Sequence, residues 1–103
     1  METSILISGK QGSGKTVRMN QLISKCKKSV VKEVSPKAFL SLSSDKLNPK
    51  RIYAIDEVVD ISQVLEINNR ISKFDLNVVA TTQLSSVELL NQPVENFAFI
   101  FLH

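Results

Sequence analysis

Apolar residues follow two different spacings along the chain. Short apolar runs, which are typical of buried strands, occupy residues 3–8, 29–34, 51–55, 77–82 and 94–102. Apolar residues at helical spacing predict helices over residues 17–28, 60–74 and 85–91. This alternation predicts an α/β fold with right-handed crossovers and a mainly parallel sheet. In such folds the ligand binds at the carboxyl edge of the sheet.

Residues 36–50 are the segment whose structure the pattern does not decide. Residues 38–42 fit a helical turn or an extended piece equally well, and Asn48-Pro49 indicates a turn after them. No repeat or linker divides the sequence, and 43% hydrophobic residues are enough for a packed core. We therefore expect residues 1–103 to form a single minimal domain.

The composition also predicts where the protein works. Cys26 is the single cysteine, so it has no internal disulfide partner, and its place on the apolar face of the first helix favours a small buried hydrophobe. No charged-then-apolar leader begins the chain, and no apolar run approaches the ~18 residues of a membrane span. We expect a cytoplasmic protein, in the host cytoplasm if the gene is viral or plasmid-encoded.

The charge of the chain leaves two interpretations open. The formal net charge is +3, and eight of the lysines and arginines lie between Lys25 and Arg51. A basic surface attracts nucleic acid, but lysines also decorate most soluble surfaces. The six aromatic residues do not indicate a base-stacking platform, because Phe97, Phe99 and Phe101 alternate in a predicted core strand.

All three glycines lie in the segment GKQGSGKT, residues 9–16, between the first predicted strand and the first predicted helix. The pattern G-x-x-x-x-G-K-[S/T] is the P-loop, whose glycines let several backbone N–H groups point at one phosphate. We expect Lys15 to reach the β- and γ-phosphates of a nucleotide and the Thr16 hydroxyl to bind Mg²⁺. The predicted nucleotide-binding residues are Gly9, Lys10, Gln11, Gly12, Ser13, Gly14, Lys15, Thr16 and Val17.

Polar residues follow two of the later strands. The acids Asp56 and Glu57 come after the apolar run IYAI and resemble a Walker B element, with Asp56 on the metal and Glu57 as the general base. The alternative is that both acids favour the start of the next helix, where Asp60 is expected as a cap or first-turn acid. Gln83 follows the strand over 77–82 and is predicted to sense the γ-phosphate or the attacking water. Its alternative is a polar residue that closes a strand, and Thr81 and Thr82 are weaker candidates.

The order GKQGSGKT, IYAIDE, a helix containing Arg70, NVVATTQ and a last apolar strand resembles the P-loop ATPases with an additional strand and a catalytic glutamate. It is most similar to the FtsK–HerA type, which includes viral genome-packaging ATPases and zonula occludens toxin-like phage assembly proteins. The resemblance implies a three-layer P-loop NTPase fold, with five strands in the order 5-1-4-3-2 flanked by helices. It also implies ATP and Mg²⁺ as cofactors and homo-oligomeric rings that pull DNA.

The chain also departs from the pattern of these motors. Such motors are generally longer and carry DNA-gripping loops or attached domains. They need an arginine at the interface to stabilise the transferred γ-phosphoryl charge, and Arg70 is the first candidate for that catalytic role. The alternative for Arg70 is a solvated helix residue, and Lys10 is a second source of charge within the chain.

Two functions remain as hypotheses. The first is a Mg²⁺-dependent ATPase coupled to nucleic-acid translocation, genome packaging or phage assembly, with catalytic residues Lys15, Glu57, Gln83 and Arg70. The second is a nucleotide-binding switch or assembly factor with slow hydrolysis. A small kinase is disfavoured because no arginine-bearing lid insertion is visible, and the absence of an N-K-x-D sequence argues against guanine.

Overall fold

The structure, a computed structural model, describes residues 3–102. Its strands are β1 (Ser4–Ser8), β2 (Val31–Val34), β3 (Ile52–Val58), β4 (Asn77–Thr82) and β5 (Phe97–Phe101). Its helices are α1 (Lys15–Ile23), α2 (Pro36–Leu40), α3 (Ile61–Phe74) and α4 (Ser86–Leu90), and a 3₁₀ turn covers Ser44–Lys46.

The five strands form one parallel sheet in the order β2-β3-β4-β1-β5. This is the predicted order 5-1-4-3-2 read from the opposite edge, so the predicted fold class is confirmed. The strand β1 lies between β4 and β5, with Ile5 opposite Val79 on one side and Ala98 on the other. The phosphate loop, residues 9–16, therefore leaves the sheet beside the end of β4.

Helices cover the two faces of the sheet unequally. Among the helices of residues 3–102, α1 alone packs on one face, and its Met19 joins Ile7, Ala54 and Val79 in a small apolar cluster. On the other face α2, α3 and α4 cover the main core, in which Phe39, Ile67 and Leu89 are fully buried. The two clusters and the sheet between them make the three layers of the fold.

Side chains that accept hydrogen bonds from backbone amides define where three of the helices begin. Asp60 caps α3 by accepting from the Gln63 amide at 2.9 Å. Ser35 caps α2, and Ser85 with Glu88 forms a capping box at α4. The hydroxyl of Ser62 and then the amide of Gln63 lower the pKa of Asp60, because both donate to its carboxylate.

The structure corrects several predicted boundaries. The helix α1 ends at Ile23 rather than at residue 28, and β5 begins at Phe97 rather than at residue 94. Residues 36–50, left open by the pattern, form α2 and the 3₁₀ turn. The difference that matters most for the site is in β3, which runs on to Val58, so that Asp56 and Glu57 lie inside the strand.

The extra length of β3 comes from an irregularity in its pairing. Ile55 pairs with Ala80 and Val58 pairs with Thr82, so two residues of β3 bulge opposite one residue of β4. A bulge of this kind is a tertiary feature that the apolar pattern does not show.

Among the described residues, none of the helices has the length and apolar character needed to span a bilayer.

Candidate functional site

The carboxyl edge of the sheet brings together polar groups from three strands. The phosphate loop follows β1, Asp56 and Glu57 lie near the end of β3, and Gln83 follows β4. Since β4 lies between β1 and β3, Gln83 comes between the loop and the two acids. The structure thus places the main predicted site residues at one edge of the sheet.

Each glycine of the phosphate loop has a physical reason to be glycine. Gly12 has a φ of 82° and Gly14 a φ of 90°, which is the left-handed region that other residues adopt only with strain. Gly9 has no such torsion, but a Cβ there would collide with Ser13 Oγ and approach Leu102 Cβ to 3.1 Å. The loop geometry therefore depends on all three glycines.

The loop also holds polar groups whose bonding suits an anionic ligand. Lys15 is only 5% exposed, and its Nζ donates to the Lys10 carbonyl at 3.2 Å. An ammonium group has three protons to donate, and burial away from water is costly unless an opposite charge lies near it. Ser13 Oγ is a buried side-chain oxygen without a hydrogen-bond partner among residues 3–102. A bound phosphate would give the Lys15 ammonium group a negative charge and the Ser13 hydroxyl a hydrogen-bond acceptor.

Thr16, at the end of the phosphate loop, lies beside Asp56 of the strand β3. Thr16 Oγ1 lies 3.3 and 3.4 Å from the two carboxylate oxygens of Asp56. Both distances are longer than the usual 2.7–2.8 Å of an O–H···O hydrogen bond, so the pair is held loosely. Hydroxyl and carboxylate oxygens are ligands that Mg²⁺ prefers, and this metal commonly takes only one or two protein ligands beside phosphates and waters. The pair fits Mg²⁺, although the described residues contain no cluster of three His, Cys, Asp or Glu side chains that could hold a metal unaided.

Glu57 occupies an unusual position in the bulge of β3. Its φ is 63°, a left-handed conformation that costs a non-glycine residue about 1–3 kcal/mol. Its side chain is exposed, and its Oε2 accepts a hydrogen bond from Gln83 Nε2 at 3.3 Å. The strained backbone therefore turns the carboxylate of Glu57 toward the residue that was predicted to sense the nucleotide.

Thr81 is the residue to which sequence reasoning gave too little weight. It is fully buried, and its hydroxyl accepts from the Glu57 amide at 2.9 Å and donates to Asp56 Oδ1. One hydroxyl thus holds both acids of the bulge, and its proton direction is fixed because an amide only donates. The available signal was a polar residue at a buried position of the strand paired with β3.

Arg70 lies elsewhere. Its guanidinium donates to three carbonyls at the end of α2, those of Phe39, Leu40 and Leu42, at 2.9–3.2 Å. It also lies 5.9 Å from the centroid of the Phe39 ring. The structure does not bring Arg70 together with Lys15 and Asp56, and its visible contacts anchor α2 against α3. A role for Arg70 at an interface stays a prediction.

Three of the remaining predicted nucleotide-binding residues, Lys10, Gln11 and Val17, are exposed. A cavity of about 430 Å³ opens between α1 and the strands β2 and β3, beside Thr16 and Asp56. A second cavity of about 260 Å³ lies beside Gly9, Lys10 and Gln83. Open space therefore adjoins both the Thr16–Asp56 pair and the part of the loop next to Gln83.

Comparison with known proteins identifies the fold. No protein-family model matches the sequence, and no curated protein matches it significantly. The structure superposes on that of AMPPCP-bound DnaA from Aquifex aeolicus with a TM-score of 0.58 and 15% sequence identity. The match covers 100% of this chain and 41% of DnaA, so the chain spans about two fifths of the length of that neighbour. The likeness is one of fold: the chain is similar to a nucleotide-bound protein and has the parallel five-stranded α/β architecture of the P-loop NTPases.

Proposed function

We propose that this chain binds Mg·ATP at the carboxyl edge of the sheet and hydrolyses it. The observation that carries the proposal is the Thr16–Asp56 pair, which joins the end of the phosphate loop to an acid from a strand two positions away in the sheet. A glycine-rich turn alone would not need that acid. The AMPPCP in the structural neighbour DnaA supports a nucleotide as the ligand.

The residues of the loop have distinct tasks in this proposal. The loop amides and Lys15 bind the phosphates, and the N-terminus of α1 adds the positive end of its dipole. Thr16 and Asp56 hold Mg²⁺, which when bound neutralises charge that develops on the phosphate oxygens. These groups bind and orient the substrate.

Glu57 is the general base. It takes a proton from a water molecule whose oxygen attacks the γ-phosphorus, and the bond from that phosphorus to the β–γ bridging oxygen breaks to give ADP and phosphate. Gln83, which already donates to the Glu57 carboxylate, orients either that carboxylate or the water. Thr81 keeps the acid pair in place through its two hydrogen bonds.

The proposal also includes the process that ATP hydrolysis drives. The resemblance of the chain to the FtsK–HerA type favours coupling to nucleic-acid translocation, genome packaging or phage assembly, by a homo-oligomeric ring in the cytoplasm. The support is the order of motifs and the sequence ATTQ at the end of β4. Residues 1–103 would act as one minimal domain of that ring.

A second candidate, a nucleotide-binding switch with slow hydrolysis, is favoured by one contact. The Gln83 amide donates to the carboxylate of the base itself, so it competes with water for that group. A switch would keep this contact with nucleotide bound, whereas an efficient ATPase would release it.

The test is to substitute Glu57→Gln and to measure Mg·ATP affinity by calorimetry and steady-state hydrolysis with and without DNA. Loss of a general base lowers turnover by about 10²- to 10⁴-fold, while affinity for Mg·ATP stays near that of the parent. Glu66→Gln on the exposed face of α3 is the matched control and leaves both unchanged. Absence of Mg·ATP binding by the parent would overturn the proposal, and hydrolysis insensitive to Glu57→Gln would favour the switch.

A further inference from the structure

Charge is distributed very unevenly along this chain. Residues 3–32 contain no Asp or Glu but seven cations, which are Lys10, Lys15, Arg18, Lys25, Lys27, Lys28 and Lys32. Residues 33–102 contain nine acids and only six lysines and arginines. The net charge of +3 is therefore small because the excess of cations in residues 3–32 is offset by an excess of acids in residues 33–102.

The fold converts this segment into a surface. The helix α1 packs on one face of the sheet, and residues 24–30 lead from it to β2 at the sheet edge. Arg18, Lys25, Lys27 and Lys28 are exposed there, and together they are called the basic surface. The nearest acid along the chain is Glu33 on β2, which is exposed and lines a surface cavity together with Lys28.

The nucleotide site does not account for the basic surface. Lys10 and Lys15 belong to the phosphate loop, but Lys25, Lys27 and Lys28 follow the far end of α1, away from Thr16 and Asp56. Like charges crowded on one surface repel each other, so such a surface fits a partner that carries several negative charges.

We propose that the basic surface binds the phosphate backbone of nucleic acid without reading its sequence. Lysine binds phosphate as a flexible point charge and carries little base specificity. Residues 3–32 contain no aromatic side chain, so no base can stack there as on a single-strand platform. The inference names the surface that the nucleic-acid part of the proposed function would use, and it rests on that part alone, not on hydrolysis.

An anionic membrane is the competing polyanion, and the exposed side chains argue against it. Binding to a membrane surface needs apolar side chains that enter the lipid beside the cations. In residues 24–32 the exposed positions are serines and lysines, whereas Cys26, Val30 and Val31 are half-buried. Residues 24–32 thus offer charge without an apolar anchor.

The experiment compares two triple variants that change the net charge equally. Lys25→Gln, Lys27→Gln and Lys28→Gln remove three charges from the basic surface. The matched control, Lys37→Gln, Lys46→Gln and Lys73→Gln, removes three exposed lysines from α2, the 3₁₀ turn and α3 on the opposite face. Binding is measured without nucleotide, by fluorescence anisotropy of two labelled DNA duplexes of unrelated sequence, across about 50–200 mM salt.

The parent should bind both duplexes alike, with an affinity that falls steeply as salt rises. The basic-surface variant should reduce the slope of log affinity on log salt by about 2–3, since each lysine–phosphate contact contributes roughly 0.9. The control variant should reduce it by less than about 1. Arginine at the same three positions should restore binding, which separates loss of charge from misfolding.

Equal losses in the two triple variants would overturn the proposal, because they would show a response to net charge alone. A parent that ignores DNA but binds phosphatidylserine vesicles would overturn it in favour of a membrane. Because no nucleotide is present, either failure leaves the ATP-binding proposal standing, and failure of ATP binding leaves this one standing.

Discussion

The phosphate loop and the bulge of β3 both use left-handed backbone, and they reach it in different ways. Gly12 and Gly14 adopt positive φ without strain because they have no Cβ. Glu57 adopts a φ of 63° with a full side chain, and the Thr81 hydroxyl binds its amide at 2.9 Å. One turn is encoded locally by residue type, whereas the other is imposed by a neighbouring strand. Strain is therefore stored beside the acids of the site and not in the loop.

The largest effect is expected from removing the Thr81 hydroxyl, which binds the Glu57 amide. Thr81→Val keeps the shape of the side chain but leaves the buried Glu57 amide without its partner, which costs about 1–3 kcal/mol in the free energy of unfolding. It should also weaken the dependence of nucleotide affinity on Mg²⁺, because Asp56 loses the hydroxyl that orients it. Calorimetry with a non-hydrolysable ATP analogue, with and without Mg²⁺, measures this directly.

Thr82→Val is the matched control for that substitution. Thr82 is equally buried, but its hydroxyl donates to the Val58 carbonyl and accepts from the Leu84 amide, so it does not bond to the acids. It should lower stability and leave the Mg²⁺ effect on affinity unchanged, while Thr81→Ser should restore that effect. If Thr81→Val and Thr82→Val behave alike, Thr81 has only a structural role.

A smaller effect on the free energy of unfolding is expected from replacing a glycine in the loop and from introducing one in the bulge. The two substitutions should change it in opposite directions. Gly14→Ala places a Cβ at a φ of 90° and should lower the free energy of unfolding by about 1 kcal/mol. Glu57→Gly relieves the strain of the bulge and should raise it by up to about 1 kcal/mol. Urea unfolding of both variants tests the comparison, and a destabilised Glu57→Gly protein would show that the bulge is not strained.

The smallest effect concerns the helix that follows the bulge. Asp60 has a pKa lowered by the Ser62 hydroxyl and the Gln63 amide, so its contribution to stability is present above its unfolded pKa. That contribution is lost as the pH falls through the lower, folded pKa. Asp60→Asn should keep the cap but remove this part of the acid dependence of the melting temperature. An unchanged acid profile would mean that other carboxylates dominate it.

Sequence reasoning succeeded where a local pattern has a local cause. The strand β4 matched its predicted bounds, and α3 begins after the predicted cap Asp60. The parallel sheet followed from the alternation of strands and helices, its strand order followed from the resemblance, and both were confirmed. The end of α1 was missed because Cys26 continues the helical spacing of Met19, Leu22 and Ile23, although the helix ends at Ile23. The α2 segment was left open because its anchor, Arg70, is about thirty residues away in sequence.

By itself the sequence determined that a phosphate-type loop lies between the first strand and the first helix, since glycine is needed there for reasons of residue type alone. It also determined the excess of cations over residues 3–32. Only the tertiary structure decided that Asp56 lies beside Thr16, that Thr81 ties Asp56 to Glu57, and that Arg70 binds α2. These contacts join residues distant in sequence, and strand pairing and side-chain packing create them in ways that no local spacing encodes.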